Sequence, residues 1–170
     1  MSPINIRIPA MDVHIHANRR LAFEVITAFG ASADGDGPST KVLSRSEDGL
    51  LVEFLTPVRG LLGGHKVYRT VERVTLHEPE AIDFQGVEGP LPYLHARFTL
   101  EENGGCARLR YESEFGVRGW VGGWLVGMLY VRPKMKRFIQ EHLEEMKETI
   151  EARAQRSRKY PQQPCALEVA

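Results

Sequence analysis

Residues 119–133, GWVGGWLVGMLYVRP, continue into 134–156, KMKRFIQEHLEEMKETIEARAQR, and the reading of this stretch decides the fold. Val121, Leu125, Met128, Met135, Ile139, Leu143, Met146 and Ile150 recur at steps of three, four or seven, which places them along one side of a helix. A helix this long with one apolar stripe needs a broad surface to lie on. Its first half is apolar on nearly every side, whereas the second half carries Lys136, Arg137, Glu141, Glu144, Glu145, Lys147 and Glu148 on an outer face. The expectation is an enclosed first half and a half-buried second. Gly122, Gly123 and Gly127 each weaken a helix by roughly 1 kcal/mol relative to Ala. They suit a closely approaching backbone or space kept beside the helix, that is, a cavity. Pro133 cannot donate to the Leu129 carbonyl and should kink the helix or mark its restart.

Working outward, the upstream chain is written in period two. INIRIPAMDVHIH (4–16) predicts a strand over 11–17 with a looser start, because Pro9 removes a ladder donor. Asn18 is placed to cap a short amphipathic helix that stops at Gly30. ASADGDGPST (31–40) reads as a surface connection with at most one loose helical turn. KVLSRS (41–46) and LLVEFLT (50–56) flank an Asp-Gly turn, the signature of a hairpin. PVRGLLGG (57–64) is a glycine-rich loop, and strands are expected at 65–77, 81–87, 93–102 and 106–117, each joined by a tight turn. Consecutive strands with short turns make an antiparallel meander. The predicted class is α+β: a curved antiparallel sheet of about seven strands wrapped around a long C-terminal helix, with one or two short helices after the first strand. Residues 1–156 read as one domain, and 157–170, SRKYPQQPCALEVA, as a disordered or loosely docked tail.

Composition narrows the partners. Lys plus Arg and Asp plus Glu number 22 each, and neither sign forms a long block, so nothing favours nucleic acid or an anionic membrane. No apolar run reaches the ~20 residues of a bilayer-spanning helix, and no secretory leader precedes SPINIRIPAMD. Cys106 and Cys165 show no metal-ligand spacing, and a reducing cytoplasm is the expected location. No cofactor and no metal are expected.

Taken together, VHIHANRRLAFEVIT, the hairpin meander, and GWLVGMLYVRPKMKRFIQEHLEEMKETIE resemble the START-related, polyketide cyclase and plant-allergen-like superfamily called SRPBCC over about residues 11–155. Asn18-Arg19-Arg20 stands where many relatives carry prolines. The resemblance implies a helix-grip fold enclosing a hydrophobic cavity for lipids, sterols, polyketides, quinones or similar molecules. Carriers, cyclases and dehydratases all share that fold, so the fold leaves function open.

The residues placed around such a cavity are Leu125, Met128, Leu129 and Arg132 from the helix, Phe54, Phe84, Phe98 and Tyr111 from strands, and Leu61 and Leu62 at its mouth. A fully packed core is the competing account. Arg132 either meets an anionic ligand or snorkels to the surface or to a strand carboxylate. His14 and His16 share a strand face, an arrangement two metal-binding imidazoles use, but no third ligand is near in sequence and surface histidines are the plainer reading. Tyr93 and His95, with Glu112 or Glu114 opposite, are an acid/base candidate, although Leu94, Ala96, Phe98 and Leu100 look like the buried side and would turn His95 outward. No catalytic residue is assigned. The leading expectation is a binder or carrier of an apolar molecule; a polyketide cyclase or dehydratase is second. Third is an interaction domain whose flap leucines, with Trp120 and Trp124, touch a partner or transiently a membrane.

Overall fold

A computed structural model describes residues 4–30, 39–59, 64–117, 119 and 121–165. Seven strands form one antiparallel sheet: β1 (Ile4–Ile15), β2 (Ser39–Ser46), β3 (Gly49–Arg59), β4 (His65–His77), β5 (Ala81–Glu88), β6 (Tyr93–Asn103) and β7 (Cys106–Val117). Their spatial order is β1-β7-β6-β5-β4-β3-β2, so the meander runs across the sheet and the first strand closes beside the last. The local chemistry accounts for the boundaries. Asn18 is extended and its side chain accepts from the Arg20 amide at 2.8 Å, which starts α1 (Arg19–Ile26). Gly49 turns β2 into β3 at φ +128, a conformation that suits glycine. The register of β1 against β7 shifts between Ile8 and Met11, at the point where Pro9 withholds its donor.

The C-terminal helix is built in three pieces: α2 (Val121–Val126), a π-helical turn (Gly127–Val131) and α3 (Arg132–Gln155). The Arg132 amide reaches back to the Gly127 carbonyl, and Pro133 occupies the first turn of α3, where its missing donor does no harm. The break thus falls where Pro133 predicts a restart. Ile139, Leu143, Ile150 and Ala154 are buried, with α3 packed mainly on β1 and α1.

One expectation is overturned. The first half of the helix is not enclosed: Trp124, Leu125, Val126, Leu129 and Tyr130 are exposed, Leu129 by 75%. Gly127 is the buried point there, because a Cβ at that position would run into Ile6 Cδ1 and stand 2.9 Å from Val117 Cγ1. The glycine therefore serves close packing against the ends of β1 and β7. The π turn spends an extra residue per turn and rotates the apolar stripe, so that Met128, Val131 and Met135 pack on the core while Leu125 and Leu129 face solvent.

The burial of α3 yields a direct contrast. Ile150→Ala, at a fully buried site, should lower stability by about 2–5 kcal/mol, and Leu129→Ala should change it by no more than about 0.5 kcal/mol. Urea denaturation of the two variants reads both values; equal losses would reverse the orientation of the helix.

Candidate functional site

Directly opposed residues in an antiparallel sheet share a face, and the inward face here carries a continuous run of aromatic rings. Phe54 (β3), Phe84 (β5), Phe98 (β6) and Tyr111 (β7) occupy inward positions, and Phe29, just beyond α1, joins them. Ring centroids lie 6.0 Å apart for Phe29 and Phe54, 6.2 Å for Phe54 and Phe84, 5.6 Å for Phe84 and Phe98, and 5.0 Å for Phe98 and Tyr111. These tilted and edge-to-face contacts form an apolar wall spanning four strands.

Polar groups are set into that wall. Val52, Glu72 and Gly86 lie opposite one another across β3, β4 and β5, which brings the Glu72 carboxyl to the inward side, where it accepts from the Thr70 hydroxyl at 3.2 Å. Burial holds the Glu72 carboxyl above its ordinary pKa, against the opposing pull of Thr70. Ser113 opposes Ala96 and Ile8, and its Oγ is buried with no hydrogen-bond partner of normal geometry among the described residues. Burial pushes the Tyr111 phenol up to about 12, the nearby Ser113 hydroxyl pulls it down, and the charge of Glu72 raises it further. The result is an apolar surface with a phenol, a hydroxyl and a reluctant carboxyl, able to grip a flat or extended apolar molecule and orient one polar group. Tyr111 is among the cavity residues expected from sequence; Glu72 and Ser113 are not. The signal for Glu72 is its place in TVERV, where Val74 two positions on is a core residue and the period of two carries the carboxyl inward with it.

On the helix side, Met128 packs on the core and Arg132 is half-buried with no ion-pair partner among the described residues. Leu61 and Leu62 lie outside the described residues, as does Trp120. His95 is on the outer face, 3.8 Å from Asp83, and Tyr93 donates to Glu114 at 2.7 Å. The acid/base candidate built on them therefore faces away from the wall, as the alternation in YLHARFTL predicts. Depressions open among the described residues. One of about 540 Å³ lies by Phe29, Thr40, Val42 and Leu55 at the β2 edge, and one of about 310 Å³ lies between Pro9–Val13 and Lys136, Gln140 and Leu143.

The expectation for the cysteines also changes. Cys106 begins β7 beside His16, and Cys165 arrives from the tail, so that the two sulfurs meet as a disulfide pair next to both histidines. The tail is docked through Cys165: Lys159 and Tyr160 reach Glu24 at 2.6 and 2.9 Å, and the Gly105 amide donates to the Pro164 carbonyl.

This sheet and helix define a helix-grip architecture of the START-related class. The structure of TTHA0849 from Thermus thermophilus superposes with a TM-score of 0.69 at 14% identity, covering 88% of this chain and 99% of that one. A START superfamily protein from Mycobacterium smegmatis gives 0.62 at 16% identity, covering 86% and 96%. The di-domain aromatase/cyclase BexL from the BE-7585A biosynthetic pathway gives 0.63 at 13%, covering 89% of this chain and 50% of that one, so this chain spans one half of it. No curated protein matches the sequence. Residues 10–151 match the polyketide cyclase / dehydrase and lipid transport family, and the chain belongs to that family.

Two titrations test the wall. A Tyr111 pKa raised from 10.0 to about 12 contributes stability that is complete below pH 10 and lost as pH rises through about 12. Tyr111→Phe should flatten that alkaline loss, read from denaturation midpoints across the range. Glu72, with its carboxyl pKa raised, favours the folded state most when protonated. Glu72→Gln should therefore raise the melting temperature at neutral pH, a gain that vanishes below the ordinary carboxylate range.

Proposed function

We propose that this chain binds an apolar small molecule, such as a lipid, polyketide or quinone, on the inward aromatic wall. Phe54, Phe84, Phe98 and Tyr111 supply the contact surface, and Met128 and Arg132 approach from the helix side. Leu61 and Leu62 stay in the proposal as rim residues; Leu125 and Leu129, being exposed, do not. The observation that carries this reading is the buried Ser113 hydroxyl without a normal partner beside Tyr111 and Glu72. An unsatisfied buried polar group costs about 1–3 kcal/mol, and the hydroxyl or carbonyl of a bound molecule would relieve it. Family membership supports a ligand of this class. The same three groups favour a second reading, acid/base cyclisation or dehydration of a polyketide, in which Glu72 and Tyr111 exchange protons with a carbonyl substrate. In either case the proposal places the protein in the cytoplasm, with no nucleic-acid partner. Among the described residues no helix is long and apolar enough to cross a membrane.

Fluorescence titration of the full chain with N-phenyl-1-naphthylamine, competed by fatty acids and by aromatic polyketide analogues, tests the binding. Saturable one-to-one uptake is expected, and Phe54→Ser should weaken it at least about tenfold with the circular dichroism spectrum unchanged, a loss of about 1.4 kcal/mol. A folded chain that takes up no probe would reject the proposal. If a poly-β-keto thioester is turned over and Glu72→Gln slows it by about 10²-fold or more, the enzyme reading replaces the carrier.

A further inference from the structure

The outer face of the β1 and β7 pair carries a second constellation. Val13 and Ile15 point into the core, so His14 and His16 stand on the opposite face. Ile15 pairs with Ala107, which sets Cys106 next to His16 on that same outer face. Gln162–Cys165 crosses over it: Gln162 donates to the His16 carbonyl at 3.1 Å, and Cys165 bridges to Gly104. Gly105 allows this approach, since a Cβ there would stand 2.5 Å from the Gln163 side chain.

The four donor atoms converge. His14 Nε2 lies 3.3 Å and His16 Nδ1 3.4 Å from Cys165 Sγ, His16 Nδ1 lies 3.9 Å from Cys106 Sγ, and all four atoms fall within 4.8 Å of one another. A tetrahedral zinc ion with Zn–S of about 2.3 Å and Zn–N of about 2.0–2.1 Å sets each nitrogen about 3.6 Å from each sulfur. The three nitrogen to sulfur distances straddle that value. The structure joins the two sulfurs as a disulfide, with Cα atoms 5.3 Å apart. A disulfide needs no imidazoles beside it, and its sulfurs are weak acceptors. Two thiolates and two imidazoles are the donor set of a closed structural zinc site. A thiol reductant of the cytoplasm supplies the two electrons and two protons that cleave this bond into two thiols, and rotation about the Cα–Cβ bonds can then part the sulfurs.

The frame behind the donors is tied to α3. The His16 amide donates to Glu151 at 2.9 Å, Lys147 donates to the His14 carbonyl at 2.9 Å, and Lys147 and Glu151 pair with each other on α3. The histidine segment of β1 is therefore held by the long helix on one side and by the tail on the other.

We infer that His14, His16, Cys106 and Cys165 form a zinc site that staples the C-terminal tail to the outer face of the sheet. On uptake each thiol releases its proton to solvent, both imidazoles donate a neutral lone pair, and two thiolates balance the dipositive ion. No electrons move. With all four positions filled by protein the site is structural, and it stands independently of the ligand wall on the opposite face.

The test uses the full chain purified with reductant present. Elemental analysis should find one zinc per chain, and cobalt in its place should give the intense visible bands of a tetrahedral ion together with near-ultraviolet thiolate charge transfer. Cys165→Ser and His16→Ala should each lower cobalt affinity at least about tenfold. Cys165 lies beyond the family-matched residues 10–151, so its variant should keep the fold, checked by circular dichroism. Chelation should speed tryptic cleavage between Arg156 and Lys159. A reduced, folded wild-type chain that takes up neither zinc nor cobalt would overturn the inference. So would a weak octahedral cobalt spectrum, a Cys165→Ser variant with unchanged affinity, or a Cys106–Cys165 disulfide that persists in reductant.

Discussion

The seam between α3 and the first strand is the interaction on which the rest depends. Ile139, Leu143, Ile150 and Ala154 are buried along it, with Met135 and Met146 filling its flanks. Full burial of a side chain the size of Ile or Leu contributes about 1.5–3 kcal/mol, so this single seam supplies a sizeable share of what holds helix to sheet. Because α3 lies mainly on β1 and α1, the helix is anchored at one side of the sheet. Its earlier turns are carried over the ends of β1 and β7 on Gly127. The π turn and Pro133 let the chain reach that anchorage without forcing its apolar stripe to continue in one straight line.

Anchoring the helix at one side leaves the middle strands to cover their own inward face, and they do so with aromatic rings. Phe29, Phe54, Phe84, Phe98 and Tyr111 touch one another in succession, and the wall they form is interrupted by Glu72 and Ser113. Apolar residues of similar size at those two places would make a more stable core. A buried carboxyl and hydroxyl there are a cost that packing alone does not repay.

The alternation of a strand lets the same few residues serve two unrelated purposes. Along β1 and β7, Val13, Ile15, Leu109 and Tyr111 build the core and the wall, while His14, His16, Cys106 and Arg108 face outward. Elsewhere on that outer face, ion pairs such as Arg69 with Glu53 and Glu88, and Arg97 with Asp83, match the equal numbers of acidic and basic residues. Exposed pairs of this kind add little stability. At the histidine corner, by contrast, the tail covers the face.

The sequence by itself determined the number and order of the strands, the Asn18 cap and the break at Pro133, since each rests on interactions between residues a few positions apart; the bounds shifted, with β1 over Ile4–Ile15 where 11–17 was expected and β3 running to Arg59 into the expected 57–64 loop. Of the wall aromatics, Phe54, Phe84, Phe98 and Tyr111 stand out in the sequence, whereas Phe29, beyond α1, does not. Three features were decided by tertiary structure alone. The first half of the long helix is apolar all round, so its composition contains no direction, and only packing against Ile6 and Val117 chooses which side is covered. Period two in TVERV puts Glu72 on the face of Val74, but only its register with Val52 and Gly86 makes that face the inward one. His16 and Cys165 are 149 positions apart, and their meeting depends on β1 closing against β7 and on the tail crossing both. Patterns along a chain report neighbours in sequence, whereas a cluster assembled from β1, β7 and the tail exists only after long-range pairing has brought those segments together.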